Sequence, residues 1–404
     1  EMDMEEGCSV HEAKIKLAGL TGVPAPQQQL LCGARKLLSG ECLGRLGPPA
    51  PAELTLVVVI DPRVVTASDD GTAKIWNATT GECVHTLAAH ADYVFLAVFS
   101  GDGALVLTAG GDFAARLWSA STGECLHTLV GHSGDVNSAA FSADSSRVVT
   151  ASSDQSAKMW SSAAGGCVRT LSGHRGCVYK AVFSPDGLSL LTASADCTAR
   201  VWDARTGACV HTLSGHDCCV ESCAFSADGS RVLTACQGGT AKVWSAATGG
   251  CLRTFGEHPY ADGSARSVFF SADGSAVLAS SGCDALLKAW APALGDYVDS
   301  AALRCCGTIL TAAFSPSGSM VLLISGNGRA TLWDAATGEC IRVLPCQGRC
   351  VNSAVFSADG SSVLLTASDD FAATIWSLTT GGCVRTLSGH SEYVYSAEFS
   401  HDTA

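Results

Sequence analysis

The sequence predicts an all-β fold, a β-propeller of repeated four-stranded sheets, from three observations. All eight tryptophans, Trp76, Trp118, Trp160, Trp202, Trp244, Trp290, Trp333 and Trp376, fall in one slot of a repeating unit, with gaps of 42, 42, 42, 42, 46, 43 and 43 residues. A period of that length with one indole per unit fits blades that each contribute four strands to a radial array. Within a unit, short runs alternate apolar and polar residues between Gly, Ser and Asp turns, the period of half-buried strands. A Phe-Ser pair also recurs eight times, at Phe99, Phe141, Phe183, Phe225, Phe270, Phe314, Phe356 and Phe399.

One unit, at 132–171, shows the element order. Strand a runs through Phe141, strand b through Thr150, strand c ends in Trp160 and strand d runs through Cys167. The turns are short, so sequential strands are expected to be antiparallel neighbours.

Composition sets bounds. The chain has 404 residues, is 47% hydrophobic, and carries a net charge of −13. Its longest apolar run, LTLVVVI at 54–60, is strand-sized, so no membrane span is expected. No secretory leader is read at the start, and the first residue, Glu1, suggests a fragment or a processed form. The acidity argues against direct binding of nucleic acid, which needs clustered Lys and Arg. Seven of the 21 cysteines (Cys83, Cys125, Cys167, Cys209, Cys251, Cys340, Cys383) occupy one repeat slot, where the expected role is a small buried hydrophobe. The remaining cysteines lack paired metal-ligand spacing, so neither zinc nor any other metal or cofactor is expected. A reducing compartment, the cytoplasm or the nucleus, fits so many unpaired thiols.

The unit resembles the WD-repeat propeller family over about residues 61–402. The resemblance implies a chain of side-chain hydrogen bonds running from His to a Ser or Thr and on to Trp, with an Asp on the far side of the His. Physically, a buried indole N–H needs an acceptor, a hydroxyl can accept it while donating to an imidazole, and a carboxylate then fixes the other ring nitrogen. Three consecutive sets match: His90, Thr108, Asp112 and Trp118; His132, Thr150, Asp154 and Trp160; and His174, Thr192, Asp196 and Trp202. A further set, His258, Ser280, Asp284 and Trp290, contains an insertion after its His. Blade 5 has His216 and Thr234 but Gly238 in the Asp slot. Blade 7 has Leu323 and Asn327 in the hydroxyl and Asp slots, and blade 8 has Gly348 in place of His. The repetition speaks against a catalytic triad, which needs a single accessible site. No enzyme activity is expected.

The Trp and Phe-Ser series are out of phase, and this predicts how the ring closes. Trp76 has no Phe-Ser before it, and Phe399 has no Trp after it. Residues 391–399 are therefore expected to supply the inner strand of blade 1, and His390 to complete a set with Thr66, Asp70 and Trp76. The resulting fold class is an eight-bladed WD-repeat propeller at 61–404, since a closed ring leaves no open edge. The competing arrangement is a seven-bladed ring with the degenerate blade 7 left out.

Residues 1–60 do not follow the repeat. Ser9 and Glu12 form a capping box opening a helix, Gly22 ends it, and Pro24 and Pro26 prevent its continuation. Strands are expected at QQLLCGA and LTLVVV. The string GVPAPQQQLLCGARKLLSG followed by LTLVVV resembles ubiquitin-like β-grasp domains, lacking the first strand. The resemblance implies an interaction patch at Leu31, Leu56 and Val57. The LTLVVV strand runs into Asp61-Pro62 with no Gly-Gly tail, so a conjugated modifier is not expected.

The function expected is a monomeric, non-enzymatic protein–protein scaffold or adaptor, linked to the ubiquitin system through 1–60. Aligned loops place Asp69, Tyr93, Asp135, Arg175, Asp217, Arg349, Asp369, Glu392 and Tyr393 on one face. Tyr93, Tyr393, Asp69, Asp369 and Glu392 come from neighbouring blades, and aromatics rimmed by carboxylates suit a basic peptide. One alternative rests on LLTASADCTARVWDAR at 190–205, which resembles the motif of cullin-type ligase substrate receptors through Trp202-Asp203-x-Arg205. Another is a signalling scaffold similar to G-protein β subunits.

Overall fold

The computed structural model describes residues 28–32, 35–36, 54–58, 62–88, 90–237, 240–255, 268–270, 277–279, 286–290, 303–304, 309–325, 329–335, 337–344, 351–367 and 370–400. The chain divides into two compact units, Glu1–Pro62 and Arg63–Ala404.

In the first unit, Gln28–Cys32 lies between Arg35–Lys36 and Leu54–Val58 in an antiparallel three-stranded sheet. Leu31 sits opposite Lys36 on one side and Thr55 on the other. The helix expected after Ser9 lies outside the described residues.

In the second unit the described strands form eight four-stranded sheets, numbered here from the N-terminus. Sheets 2 to 8 span 94–130, 136–172, 178–214, 220–255, 268–304, 309–344 and 351–388, each with its strands in sequence order. Sheet 1 differs. Its strands Arg63–Ser68, Thr72–Asn77 and Cys83–Ala88 take their inner partner from the other end of the chain, Val394–Phe399. That strand pairs antiparallel with the first, Val394 opposite Ser68 and Phe399 opposite Val64. It also touches Val94–Phe99 of sheet 2 and Val351–Phe356 of sheet 8.

Where side chains are described, burial is greatest in the second strand of a sheet and falls outward to the fourth, and this explains the composition of the strands. Arg147–Ser152, a second strand, is buried at every position after its first, because sheets on both sides cover it. The outer strand Cys167–Ser172 is buried only at Leu171. Each Trp of a complete set packs on the preceding sheet. Trp202 joins Val149, Met159 and Leu171 of sheet 3, and Trp76 joins Ala373, Ile375 and Leu387 of sheet 8. Burying one indole contributes roughly 4–6 kcal/mol as an upper estimate. The regular spacing of the tryptophans is thus a spacing of inter-sheet contacts.

One expectation is corrected by the same gradient. The seven repeat-slot cysteines are exposed rather than buried. Each opens the outermost strand, where no further strand of the sheet covers it, and its sulfur faces the outer surface, as Cys83 does beside Thr86 at 3.7 Å.

Candidate functional site

The loops that enter the first strand of each sheet and those joining its second and third strands meet at one face. Four hydrogen-bond sets brace it. In sheet 1 the indole of Trp76 donates to Thr66 Oγ1 (2.9 Å), which lies 2.7 Å from His390 Nε2, and His390 Nδ1 lies 2.9 Å from Asp70. A carboxylate only accepts, so Nδ1 carries the proton and the Thr hydroxyl donates to Nε2. His390 lies 324 residues from Thr66 and 320 from Asp70 in sequence.

The three sets expected in sheets 2, 3 and 4 are all present. In sheet 2 Trp118 donates to Thr108 (2.9 Å), Thr108 meets His90 Nε2 (2.7 Å), and His90 Nδ1 meets Asp112 (2.9 Å). In sheet 3 Trp160 donates to Thr150 (2.9 Å), Thr150 meets His132 (2.8 Å), and His132 meets Asp154 (2.7 Å). In sheet 4 Trp202 donates to Thr192 (2.9 Å), Thr192 meets His174 (2.7 Å), and His174 meets Asp196 (2.8 Å). Thr66, Thr108, Thr150 and Thr192 are all buried, so each hydroxyl depends chiefly on these two partners rather than on water, with a strand carbonyl at 3.4–3.5 Å from three of them. In sheet 2 Arg116 also reaches Asp112, at 2.7 Å. The fourth expected set is not brought into view. His258, Ser280 and Asp284 lie outside the described residues, as does the side chain of Trp290.

The histidines and carboxylates of these sets titrate away from their ordinary ranges. Burial keeps His90, His132, His174 and His390 below the usual imidazole value despite the neighbouring carboxylates. Burial works against ionisation of Asp154 and Asp196 as well. Hydrogen bonds outweigh it, chiefly from Ser156 and Thr198 respectively, and hold both at about 2. Neutral histidines spent on buried Thr hydroxyls make a brace, not a reaction centre.

The departures from the pattern are informative. In sheet 5 His216 Nε2 meets Thr234 at 2.7 Å, but Nδ1 meets no partner among the described residues. Burial, then the charge of Lys242, push this imidazole down to about 4. In sheet 7 buried Leu323 offers no hydroxyl, and the Trp333 indole donates instead to Thr331 on its own strand (2.8 Å). Trp376 does the same with Thr374 (3.0 Å).

On the loop face the structure assembles a row of aromatic rings. Tyr93 packs at a tilt against Phe95 (centroids 4.4 Å apart), and Phe95 meets Tyr395 (5.7 Å). Tyr93 donates its hydroxyl to Asp135 (3.2 Å) at one end, and the Asp69 carboxylate acts on the Tyr395 phenol at the other. Burial, then these carboxylates, raise both phenols above their ordinary value. Alongside, exposed Tyr393 meets Phe371 edge-on at 5.6 Å. Tyr93, Tyr393 and Asp69 thus come together as expected positions, whereas Phe95, Tyr395 and Phe371 were missed. Two structural features mark their surroundings. Gly111 stands beside Tyr93, whose ring would lie 2.5 Å from any Cβ there. Phe371 holds a left-handed backbone (φ 55°) in the turn position that Gly71 (φ 75°) fills in sheet 1, a strained placement for an aromatic residue.

The other expected positions are scattered. Arg175 and Glu392 are exposed in their loops, as is Asp217, and Arg349 and Asp369 lie outside the described residues. Leu31 belongs to the first unit and is described only as a strand position. Asp203 accepts from the backbone N–H (2.6 Å) and hydroxyl (2.8 Å) of Thr206, which makes it a turn cap. Asp334 binds Thr337 in the same way in sheet 7, where the sequence has Ala336 in the Arg position. Arg205 is exposed. Among the described residues no group of three or more potential ligands is placed to hold a metal, and no helix is long and apolar enough to cross a membrane.

Radial four-stranded sheets, braced by repeated buried hydrogen-bond sets and presenting one loop face, define a repeat-built propeller of the protein-binding type. The chain belongs to the WD40 family (WD domain, G-beta repeat), whose model matches residues 59–77, 81–119, 123–161, 165–203, 207–245, 338–377 and 381–404. Among solved structures it is similar to the computationally designed Ika8 protein, at 26% identity and a TM-score of 0.68, over 78% of this chain and 93% of that one. A search among curated proteins found no match.

The seven matched segments correct the expected fold class. The WD40 propeller counts seven repeats of the family, not the eight-bladed array of family repeats read from the tryptophans. The first and last segments meet in sheet 1, and none covers 246–337. In that stretch the repeat is interrupted by an insertion after His258 and by Leu323 and Asn327 in the hydroxyl and Asp slots. Strand pairing there rests on backbone bonds and apolar packing, which leave no such side-chain signature.

Proposed function

We propose that the chain is a non-enzymatic scaffold whose loop face holds a Lys- or Arg-containing segment of a partner protein. WD40 propellers generally bind other proteins and typically lack catalysis. The observation that carries the finer reading is the aromatic row Tyr93–Phe95–Tyr395 with Asp135 and Asp69 at its ends. Ring faces attract cations, and desolvated aromatics are the residue type most often found as interface anchors. The flanking carboxylates select for positive charge, and the net charge of −13 steers it in.

Residues 1–60 are read as a ubiquitin-like docking module connecting the scaffold to the ubiquitin system. The string GVPAPQQQLLCGARKLLSG supports this, as does the pairing of Gln28–Cys32 with Leu54–Val58, which sets Leu30 opposite Leu56. The ligase-receptor reading gains no support from Asp203, whose carboxylate serves its own turn.

The test is titration of a short fluorescent Lys- and Arg-rich peptide into the full chain. Tyr395→Ala and Tyr93→Ala should each weaken binding about tenfold or more, the scale of an interface anchor. Binding should also weaken as salt rises. Unchanged affinity in both variants, or equal binding of an acidic peptide, would refute the reading.

A further inference from the structure

We propose that Cys197 of sheet 4 and Cys219 of sheet 5 form a modification site, a dithiol that closes into a reversible disulfide between the two sheets. Cys197 stands in the turn joining the second and third strands of its sheet, and Cys219 immediately precedes Val220–Phe225, the first strand of the next. The repeat shows how these two slots meet. Phe371 and Tyr393 occupy them in sheets 8 and 1, at the same spacing of 22 residues, and their rings touch with centroids 5.6 Å apart. Gly71 fills the turn slot in sheet 1. A Cβ there would lie 3.4 Å from the carbonyl oxygen of Asp92, the residue before Tyr93 of sheet 2. That approach brings the Cα atoms of the two slots close to the span of a disulfide, about 4.4–6.8 Å. Cys197 shares the left-handed backbone of Gly71 and Phe371 (φ 65° against 75° and 55°), so its side chain leaves in the same direction.

Both thiols are free and half-buried, open to a small reagent, whereas Cys236 nearby is only 2% exposed. Burial, then the charge of Cys219, raises the Cys197 thiol above its ordinary value. Cys219 acts on it more strongly than Asp196, its neighbour in the chain, as expected of two sulfurs close together. The co-reactant is a low-molecular-mass disulfide. Cys219 attacks first, because its surroundings hold the proton on Cys197. The Cys219 thiolate bonds to one sulfur of the reagent, the reagent's S–S bond breaks, and one thiolate leaves. Capping removes the Cys219 charge that acted on Cys197. The Cys197 thiolate then attacks the Cys219 sulfur and expels the second thiolate. Two protein thiols are oxidised to one disulfide, and one reagent disulfide is reduced to two thiols. The site lies between sheets 4 and 5, away from the aromatic row, and does not depend on that reading.

The experiment incubates the full native chain with glutathione disulfide, blocks the remaining thiols by alkylation, digests without reduction and maps the sulfurs by tandem mass spectrometry. A Cys197–Cys219 link that dithiothreitol reverses is expected, with glutathione on the exposed outer-strand cysteines. Cys197→Ser removes the second thiol, so glutathione should stay on Cys219. Cys219→Ser should leave Cys197 largely unmodified. The linked chain should melt a few degrees above Cys197→Ser treated alike, since the bond closes a loop of the unfolded chain. Cys219 unmodified or still carrying glutathione in the unaltered chain would overturn the proposal. So would a link from Cys219 to Cys177, Cys218 or Cys236, or a link that forms only in urea. The map of the unaltered chain stands whether or not the variants fold.

Discussion

His390→Ala tests the long-range closure of sheet 1 most directly. The substitution removes the close acceptor of the Thr66 hydroxyl, 2.7 Å away, leaving it only Lys74 O at 3.5 Å, and removes the donor to Asp70, 2.9 Å away. Thr66 is 1% exposed, so it finds no water in exchange. Leaving a buried hydroxyl unsatisfied costs about 1–2 kcal/mol, and losing a bond to a charged group about 1.5–3 kcal/mol. Asp70 keeps its bonds from the N–H and hydroxyl of Thr72 (2.9 and 2.6 Å) and from Ser391 N–H (3.1 Å), which limits the second term. A total of about 3 kcal/mol follows. His132→Ala is the internal standard. Its distances, 2.8 Å to Thr150 and 2.7 Å to Asp154, are nearly the same, but its partners are only 18 and 22 residues away in sequence. Urea unfolding of the full chain should show the two variants shifting the midpoint alike. Thr66→Val combined with His390→Ala should be non-additive by about 1 kcal/mol, as expected for groups in contact. If His390→Ala left the midpoint unchanged while His132→Ala lowered it, the chain's last strand would not close sheet 1.

Two further outcomes are expected. Stability should fall in two stages on acidification. The buried histidines, with folded values below the unfolded 6.5 and His216 at about 4, refuse protons that the unfolded chain accepts, so stability is lost as pH drops below 6.5. Asp154 and Asp196, held at about 2 against an ordinary 3.8, contribute above 3.8 and lose that contribution as pH falls towards 2. Urea midpoints unchanged between about pH 7 and pH 5 would contradict the first stage. In a thiol-reagent assay of the native chain, the seven outer-strand cysteines should react readily. Cys223, fully covered and with its thiol pushed up to about 12 by burial, should react only on unfolding. Rapid labelling of Cys223 would count against the burial gradient.

The all-β propeller class was legible because its elements are local, whereas the number of family repeats was not. A Trp, a Thr ten residues before it and a His 28 residues before it recur in register, as in His132, Thr150 and Trp160. The candidate site was less so. Tyr93 and Tyr393 could be placed by aligning loops. Phe95 and Tyr395 sit two positions further along, inside their strands, where the repeat itself gives no sign that rings from sheets 1 and 2 will meet. The outer cysteines were misplaced for a related reason. A small apolar residue on a strand reads as buried, and only the order of strands in the sheet shows that nothing of the sheet lies beyond it.

The sequence by itself determined the propeller strands and their turns, the bracing sets of sheets 1 to 4 and the partner of the last strand. Each depends on residue spacing, and spacing is regular when the chemistry is local. Only the tertiary structure decided which loops share a face, which cysteines are exposed and that His216 Nδ1 meets no partner among the described residues. Those properties belong to neighbours across sheets, separated by tens to hundreds of residues, and no periodicity along one chain records them.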